Sequence, residues 1–401
     1  MKIKITILLI FLSSFIYPNT IEKIIINGNE ITKDSTILNL INHTIGDTIN
    51  INKAIEDQSK LFNTGLFYDA IIYPDSSNYY IFVFEKPKTL VRPAIDKDDI
   101  LGWSYGGSVL LNNIKGKNKK LKLSALIGAS NVFDIKYCNP QTKYLNDSLN
   151  INIYNKFYNN FTNNYKIYNT GAKTSISLLT NDKNHQLNIS NKLEYTQLSF
   201  DSGPYYKTYN ITNALIYRLN KPNDLFTIRL AHLYFNNTYQ NYFSINLENS
   251  YYIYFNRNNN SRLVIKNKLK INSSKNIPIY HQSYLISEDY VRGYDINNLP
   301  ENSNIADKLL WSNIATTTIQ IELPFYNLGS ISTNILFFGD WGYGWEYGNT
   351  ELEILKKQKI RSFGLGIRYN IMKMGSVDVC LGMNPYNRAK EIQGIANFTN
   401  F

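Results

Sequence analysis

The chain has 401 residues, long enough for two or three ordinary domains or for one large barrel with an accessory domain. The formal net charge is +11, but the lysines are spread along the chain rather than gathered in one run, so no nucleic-acid partner is expected. The two cysteines, Cys138 and Cys380, exclude a disulfide scaffold and are expected to be unpaired. The 32 tyrosines suit a membrane–water boundary, where an aromatic ring with a polar tip is favoured.

Residues 1–20 have the pattern of a secretory signal peptide. Lys2 and Lys4 give a positive start, an apolar run too short to span a membrane follows, and small residues precede a Pro-Asn break. We therefore expect an exported protein. No later stretch holds about 18 consecutive apolar residues, so no membrane helix is expected.

Residues 21–86 predict a small α+β domain in the order β-α-α-β-β. A short strand ends at a turn around Gly28, and two helical segments follow, the second capped by Asn50 and ended by Gly65. Two strands, at residues 67–73 and 79–85, complete the domain.

This region resembles a POTRA domain, the polypeptide-transport-associated module of outer-membrane assembly proteins. The similar strings are IEKIIINGN, the Gly-Asp pair at 46–47, LFNTGLFYD and a strand ending in VFEKP. The resemblance implies that an exposed edge strand of the domain pairs with extended client polypeptides. The alternative is a structural plug or spacer.

Residues 87–100 are interpreted as a linker, and residues 101–401 as a transmembrane β-barrel. Here Leu263, Ile265 and Leu269 alternate with Lys266 and Lys268, so one face suits lipid and the other a wet lumen. A soluble β-sandwich also alternates, but this many strands after a signal peptide favour a barrel. We count about sixteen antiparallel strands, with fourteen as the other possible count: residues 101–111, 120–129, 131–138, 148–158, 168–180, 185–198, 206–219, 224–235, 241–254, 261–273, 279–286, 310–323, 329–340, 361–370, 375–382 and 392–401.

The connector at residues 287–307, between predicted strands eleven and twelve, holds an arginine beside a glycine. Downstream, the period of two places two carboxylates, Glu322 and Asp340, on the face that points into the lumen. A loop folded into the lumen needs an anion for its arginine, so we predict that Arg292 bridges to Asp340, with Glu322 as second partner. The alternative is a surface arginine in a loose loop. Room for the loop is predicted at a strip of small residues on the lumen face: Gly342, Ser362, Gly364 and Gly366.

Four strings in this half of the chain resemble the superfamily of outer-membrane assembly barrels and two-partner-secretion transporters, the group of BamA, TamA and Sam. VRGY matches the motif V/L-R-G-F/Y of its sixth extracellular loop, and IELPF, FGDWG and SFGLGIRY are similar to its strands twelve to fourteen. The resemblance implies the same pairing of Arg292 with Asp340. It also implies a latch in loop six formed by Val291, Arg292, Gly293 and Tyr294.

Enzymatic chemistry is not expected. The four histidines lack metal-ligand spacing, and there is no Gly-x-Ser-x-Gly elbow, so we expect no catalytic residue, no metal and no cofactor.

The signal peptide, the POTRA-like domain and the barrel together predict a single-POTRA assembly or translocation factor in the outer membrane of a Gram-negative-type bacterium. The domain at 21–86 is expected in the periplasm, where it engages client outer-membrane or secreted polypeptides. The barrel then mediates their insertion into, or export across, the outer membrane without nucleotide. Outer-membrane lipid is the other expected partner, and accessory proteins stay open. The alternative function is a passive channel or structural barrel plugged by loop six.

Overall fold

In a computed structural model of the protein, the described residues form two compact units. The first contains residues up to 91 together with 109–122 and 137–140, and the second contains residues 92–108, 123–136 and those from 141 onward. Among the described residues, no helix is both long enough and apolar enough to cross a membrane. The structure describes residues 20–98, 101–140, 148–160, 164–179, 184–201, 203–221, 223–236, 239–256, 261–287, 289–294, 310–328, 331–348, 359–371, 375–385 and 390–398.

The first unit begins with the predicted β-α-α-β-β domain. Its elements are β1 (Lys23–Asn27), α1 (Asp34–Leu38), α2 (Ile51–Asn63), β2 (Phe67–Asp75) and β3 (Asn78–Glu85). The strand order is β1-β3-β2, with β1 parallel and β2 antiparallel to the central β3. As predicted, Asn50 caps α2, because its side chain accepts a hydrogen bond from the Lys53 backbone N–H.

One face of this sheet is covered by the helices and the other is open. On the covered face, Phe67 and Ile81 are fully buried, with Ile37 and Leu61 of the two helices packed against them. On the opposite face, Tyr73 and Phe84 are exposed, as are Ile71 and Phe82. The domain therefore has one core and one uncovered apolar sheet face.

The remaining long strands form one sixteen-stranded antiparallel sheet in simple chain order. This confirms the prediction of a transmembrane β-barrel of about sixteen antiparallel strands after a small α+β domain. In chain order its first ten strands are β4 (Thr89–Asp98), β5 (Gly102–Ile114), β6 (Lys119–Gly128), β7 (Ser130–Asn139), β8 (Ser148–Asn160), β9 (Tyr165–Leu179), β10 (His185–Phe200), β11 (Tyr205–Lys221), β12 (Asp224–Phe235) and β13 (Tyr242–Asn256). The others are β14 (Ser261–Asn272), β17 (Asn313–Leu328), β18 (Ile331–Trp345), β19 (Lys359–Ile371), β20 (Gly375–Met383) and β21 (Lys390–Phe398).

Two of the sequence assignments are wrong, and their effects on the strand count cancel. The linker predicted at 87–100 is largely strand β4, which the sequence hides because Pro93 and the charged residues after it interrupt the alternation. β4 is the last strand in the order of the sheet, and proline is tolerated in such an edge strand. The strand predicted at 279–286 is not part of the barrel, because β14 pairs directly with β17, from Arg262 opposite Glu322 to Lys270 opposite Ile314.

Residues 277–284, which we call the inward segment, instead lie against the lumen wall. They contain a short 3-10 helix, Ile279–His281, and β15 (Ser283–Tyr284), which pairs with β16 (Leu310–Trp311). Ile277 packs into a cluster of inward-facing wall residues that includes Phe235 and Tyr242. The side chain of Asn160 donates a hydrogen bond of 2.8 Å to the Tyr284 hydroxyl.

The alternation along the barrel strands sorts the two faces as predicted. On β17, Ile319, Ile321 and Leu323 are exposed, whereas Gln320 and Glu322 are each only 1% exposed. The exposed apolar side chains form the face suited to lipid, and the buried polar side chains line the lumen. The lumen is therefore where the predicted partners of Arg292 are found.

Candidate functional site

Arg292 is held on the inner wall of the barrel by Asp340 of β18. Its Nε donates to Oδ2 of Asp340 at 2.8 Å and its Nη2 donates to Oδ1 at 2.9 Å. The backbone N–H of Arg292 donates to the same carboxylate at 3.2 Å. Asp340 is fully buried and Arg292 is 6% exposed. The predicted bridge is thus present as a buried, bidentate ion pair between Arg292 and Asp340.

The guanidinium has three further neighbours on the wall. Its carbon lies 3.6 Å from the centre of the Phe338 ring, a cation–π arrangement. Its Nη1 donates to Oε1 of Gln320 at 3.2 Å and contacts Sγ of Cys380 at 3.8 Å. A buried charge is stabilised only when its donors are satisfied, and here the wall provides an acceptor or a ring for each side of the guanidinium.

Glu322 is not the second partner of Arg292, which corrects that prediction. Glu322 lies directly opposite Arg262 in the strand register and pairs with it at 2.7 Å. It also accepts from Arg368 at 2.6 Å, and Arg368 in turn binds Asp378 through two nitrogens. With two arginines of its own, this carboxylate is already neutralised.

Gln320 connects the two ion-pair groups. Its Oε1 accepts from Arg292 at 3.2 Å, and its Nε2 donates to Glu322 at 2.7 Å. An amide can do both because it carries an acceptor oxygen and a donor nitrogen. The result is one hydrogen-bonded chain from Asp340 through Arg292, Gln320 and Glu322 to Arg368, spanning strands β17 to β19 and the loop.

The predicted small residues make room for two different groups: the loop itself, and the side chains that contact Arg292. A Cβ on Gly342 would lie 2.6 Å from Cγ2 of Val291, so this glycine makes room for the loop itself. Gly364 leaves space for the Phe338 ring, and Gly366 lies against Cys380, where a Cβ would be 2.8 Å from Sγ. Both therefore support side chains that touch Arg292. The fourth predicted member, Ser362, is buried on the same face, in register with Asp340.

The VRGY motif, which we call the tetrad, has further contacts on the wall. Val291 and Tyr294 are buried with Trp311, Ile314 and Ile360 in one apolar cluster. The Tyr294 hydroxyl donates to the carbonyl oxygen of Arg361 at 2.7 Å. All four predicted latch residues, Val291, Arg292, Gly293 and Tyr294, thus lie on the wall.

Two contacts of the tetrad with β20 and the residue after it were missed from sequence. Gly293 has a φ of +82° and packs on Gly382, whose carbonyl carbon would lie 2.9 Å from a Cβ on Gly293. The Asn384 side chain donates to the Gly293 carbonyl oxygen at 2.9 Å. The signal available in the sequence was the strand period of two. Gly382 lies two residues after Cys380, on the same inward face, and Asn384 lies two residues after Gly382.

Among the described residues, no group of three His, Cys, Asp or Glu side chains is arranged to hold a metal ion. Cys138 and Cys380 are free cysteines.

Comparisons with known proteins agree with this architecture. The model of the Omp85 superfamily domain matches residues 225–399, and the POTRA model, described as surface antigen variable number repeat, matches residues 19–86. A search of curated proteins found no significant match.

Solved structures show the same fold at low sequence identity. BamA from Haemophilus ducreyi lacking POTRA domains 1–3 is 16% identical, with a TM-score of 0.67, over 93% of this chain and 82% of that one. CdiB from Acinetobacter baumannii is 15% identical, with a TM-score of 0.58, over 93% and 72%. CdiB from Escherichia coli is 10% identical, with a TM-score of 0.60, over 94% and 75%. The POTRA match, the Omp85 match and the fold lead to one conclusion: this chain carries an Omp85 superfamily domain over residues 225–399 and a POTRA domain ahead of it, which indicates a bacterial outer-membrane protein.

Proposed function

We propose that the protein inserts client polypeptides into the outer membrane or exports them across it, without nucleotide. The observation that carries this proposal is the loop tetrad held against the inner wall by the buried pair of Arg292 and Asp340. A loop fixed inside a barrel by local contacts around one ion pair is a discrete element that client passage can displace.

The POTRA domain is the proposed site of client capture, in the periplasm. Strands β1 and β2 are the two edges of its sheet, and an edge can pair with an extended peptide through backbone hydrogen bonds. Beside the β2 edge lies the open apolar face with Ile71, Tyr73, Phe82 and Phe84, which suits the alternate apolar side chains of a β-strand client. The competing role for the domain is that of a spacer.

The proposed activity needs no enzymatic chemistry and no cofactor. Its driving force is the pairing of client backbone and the burial of client apolar side chains in lipid. Outer-membrane lipid is therefore a partner of both the barrel and the client.

Replacing the chromosomal copy with the Arg292→Ala variant and quantifying outer-membrane and secreted proteins tests the proposal. We expect the level of a set of barrels, or of one secreted protein, to fall. Lys207→Ala, which removes an exposed basic residue of β11, is the matched control.

The two arms of this experiment separate the candidate functions. Loss of many barrels indicates general assembly, and loss of one secreted protein indicates dedicated export. Unchanged protein levels together with altered solute permeability contradict the proposal and favour a passive channel plugged by loop six.

A further inference from the structure

A second set of charged residues, each half-buried, lies on strands β9 to β14. The set consists of four residues that point into the lumen: Lys173, Lys192, Arg229 and Lys270. Successive side chains of a strand point to opposite faces, and the apolar neighbours of these residues, such as Leu193, are exposed on the lipid face. The geometry points to a binding site for a multivalent oxyanion of the phosphate class on these four residues, which we call the basic wall.

The strand register places the four residues in two pairs. Lys173 lies directly opposite Lys192. Like charges placed directly opposite each other on neighbouring strands destabilise a sheet. Arg229 and Lys270 are both in register with Asn246, one from each side, so their backbones are about 10 Å apart and their long side chains can converge.

Of the four residues of this wall, one forms an ion pair with a carboxylate among the described residues: Lys192, with Glu194. Glu194 is already shared by Lys192, at 2.9 Å, by the Asn210 side chain, at 3.3 Å, and by the Tyr154 hydroxyl. Among the residues that the structure describes, no carboxylate forms an ion pair with Lys173 or Arg229.

The inward carboxylate of β13, Glu248, lies opposite Lys268 rather than either of these residues. Positive charge enclosed by a lipid-facing barrel is costly when unpaired, so an anion in the lumen is favoured there.

A buried hydroxyl supplies a further donor. Thr212 of β11 is in register with Lys192, is 3% exposed, and its Oγ1 has no hydrogen-bond partner among the described residues. A buried hydroxyl without a partner is destabilising unless a ligand or water completes it. A lysine with a hydroxyl beside it is a donor set that suits an oxyanion.

The inward segment covers one side of the basic wall. Lys270 Nζ donates to the carbonyl oxygen of His281 at 2.6 Å and to Oγ of Ser283 at 2.8 Å. The ring of His281, held by the Tyr242 hydroxyl at 2.7 Å, lies near the charged groups of Lys192, Arg229 and Lys270. An anion on the basic wall therefore also stabilises the position of the inward segment.

The number of basic side chains indicates the class of ligand. Several basic groups contributed by different strands match a group with several oxygens and more than one negative charge, as in phosphate and pyrophosphate. A single chloride carries one negative charge and could offset only one of the positive charges.

Equilibrium dialysis of the full chain in detergent against labelled inorganic pyrophosphate at low ionic strength tests the site. We expect saturable binding that is weakened about tenfold or more in the double variant Lys173→Gln/Arg229→Gln. The control Lys207→Gln/Lys221→Gln removes the same charge from exposed positions of β11 and is expected to bind like the parent. Heat-modifiability of each variant shows whether its barrel is folded, and Lys173→Arg, which keeps the charge, is expected to retain binding.

The proposal is overturned if the parent protein shows no saturable binding, or if the control weakens binding as much as the double variant. Displacement of the label by inorganic phosphate alone assigns the site to a soluble anion. Displacement by a short-chain phosphatidic acid in the micelles as well assigns it to a lipid headgroup that enters the lumen.

Discussion

Gly293 of the loop and Gly382 of β20 pack backbone against backbone, so that a Cβ on Gly293 would lie 2.9 Å from the carbonyl carbon of Gly382. Asn384, two residues further along, donates to the Gly293 carbonyl oxygen and fixes the same approach. The latch is therefore held by the absence of side chains on β20 as well as by the charge on β18.

Gly382→Ala is expected to displace the tetrad, because the new methyl group meets the backbone of Gly293 rather than a flexible side chain. Overpacking of this kind costs about 1–3 kcal/mol. We expect a lower urea midpoint for the barrel and faster proteolysis of the loop. Gly107→Ala is the control, since its Cβ would lie 3.4 Å from the Arg92 carbonyl oxygen, close to ordinary contact. An unchanged loop in Gly382→Ala would show that the glycine contact does not hold the latch.

Arg292→Ala and Asp340→Ala are each expected to destabilise the barrel by about 3–5 kcal/mol, because each leaves the other charge buried and unpaired. The double variant is expected to lose less than the sum of the two, since it leaves neither charge behind. Urea unfolding followed by heat-modifiability measures all four proteins of the cycle. Strictly additive losses would mean that the two residues do not act as a pair.

Gln320→Met is expected to cost about 1–3 kcal/mol, because Nη1 of Arg292 loses its oxygen acceptor and Oε1 of Glu322 loses one of its two donors. The change keeps the side chain's length, so packing is largely preserved. Thr317→Val, on the exposed face of the same strand, is the control. Equal unfolding midpoints for the two variants would contradict the role of Gln320 as the link between the ion pairs.

Asp57 holds a buried hydrogen-bond network in the POTRA domain that the sequence did not suggest. It accepts from the backbone N–H groups of Asn42, at 2.6 Å, and His43, at 3.2 Å. It also accepts from the His43 ring, at 2.7 Å, and from the Tyr79 hydroxyl, at 3.1 Å.

Asp57→Asn replaces one acceptor oxygen by a donor and is expected to destabilise the domain by about 1–3 kcal/mol. Hydrogen exchange of the backbone amides in β3 measures the loss in the full chain. Glu56→Gln, at the exposed neighbour, serves as the comparison. Equal protection of β3 in the two variants would show that Asp57 does not stabilise the domain.

Tyr79 is predicted to limit the stability of the folded POTRA domain at alkaline pH. Burial raises the pKa of Tyr79 above its ordinary value, and the neighbouring Asp57 carboxylate raises that pKa further. Because the folded-state pKa is the higher one, the stability from neutral Tyr79 is fully present below the unfolded-state pKa of about 10. That stability is lost as the pH rises above this value.

Hydrogen exchange or proteolysis at rising pH is expected to show the domain opening above about pH 10. Tyr79→Phe should flatten this pH dependence, whereas Tyr73→Phe, at an exposed tyrosine, should keep it. The same alkaline opening in Tyr79→Phe would assign the effect to another group.

Much of the candidate site could be predicted because a β-strand has a period of two. Once the strand around Asp340 was identified, its carboxylate had to face the lumen, and a buried arginine nearby needed an anion. The role of Gln320 could not be predicted in this way. The strand period of two places Gln320 and Glu322 on the same face, but it does not show which of them contacts Arg292 of the loop.

The sequence by itself determined the α+β domain, the alternating barrel strands and the two partners Arg292 and Asp340, because these follow from local periodicity and motif. Only the tertiary structure decided that β14 pairs directly with β17, that residues 277–284 lie in the lumen rather than in the sheet, and that Glu322 belongs to Arg262 and Arg368. Each of these depends on which strand lies beside which and at what register. Register is a relation between segments distant in sequence, and no single segment encodes it.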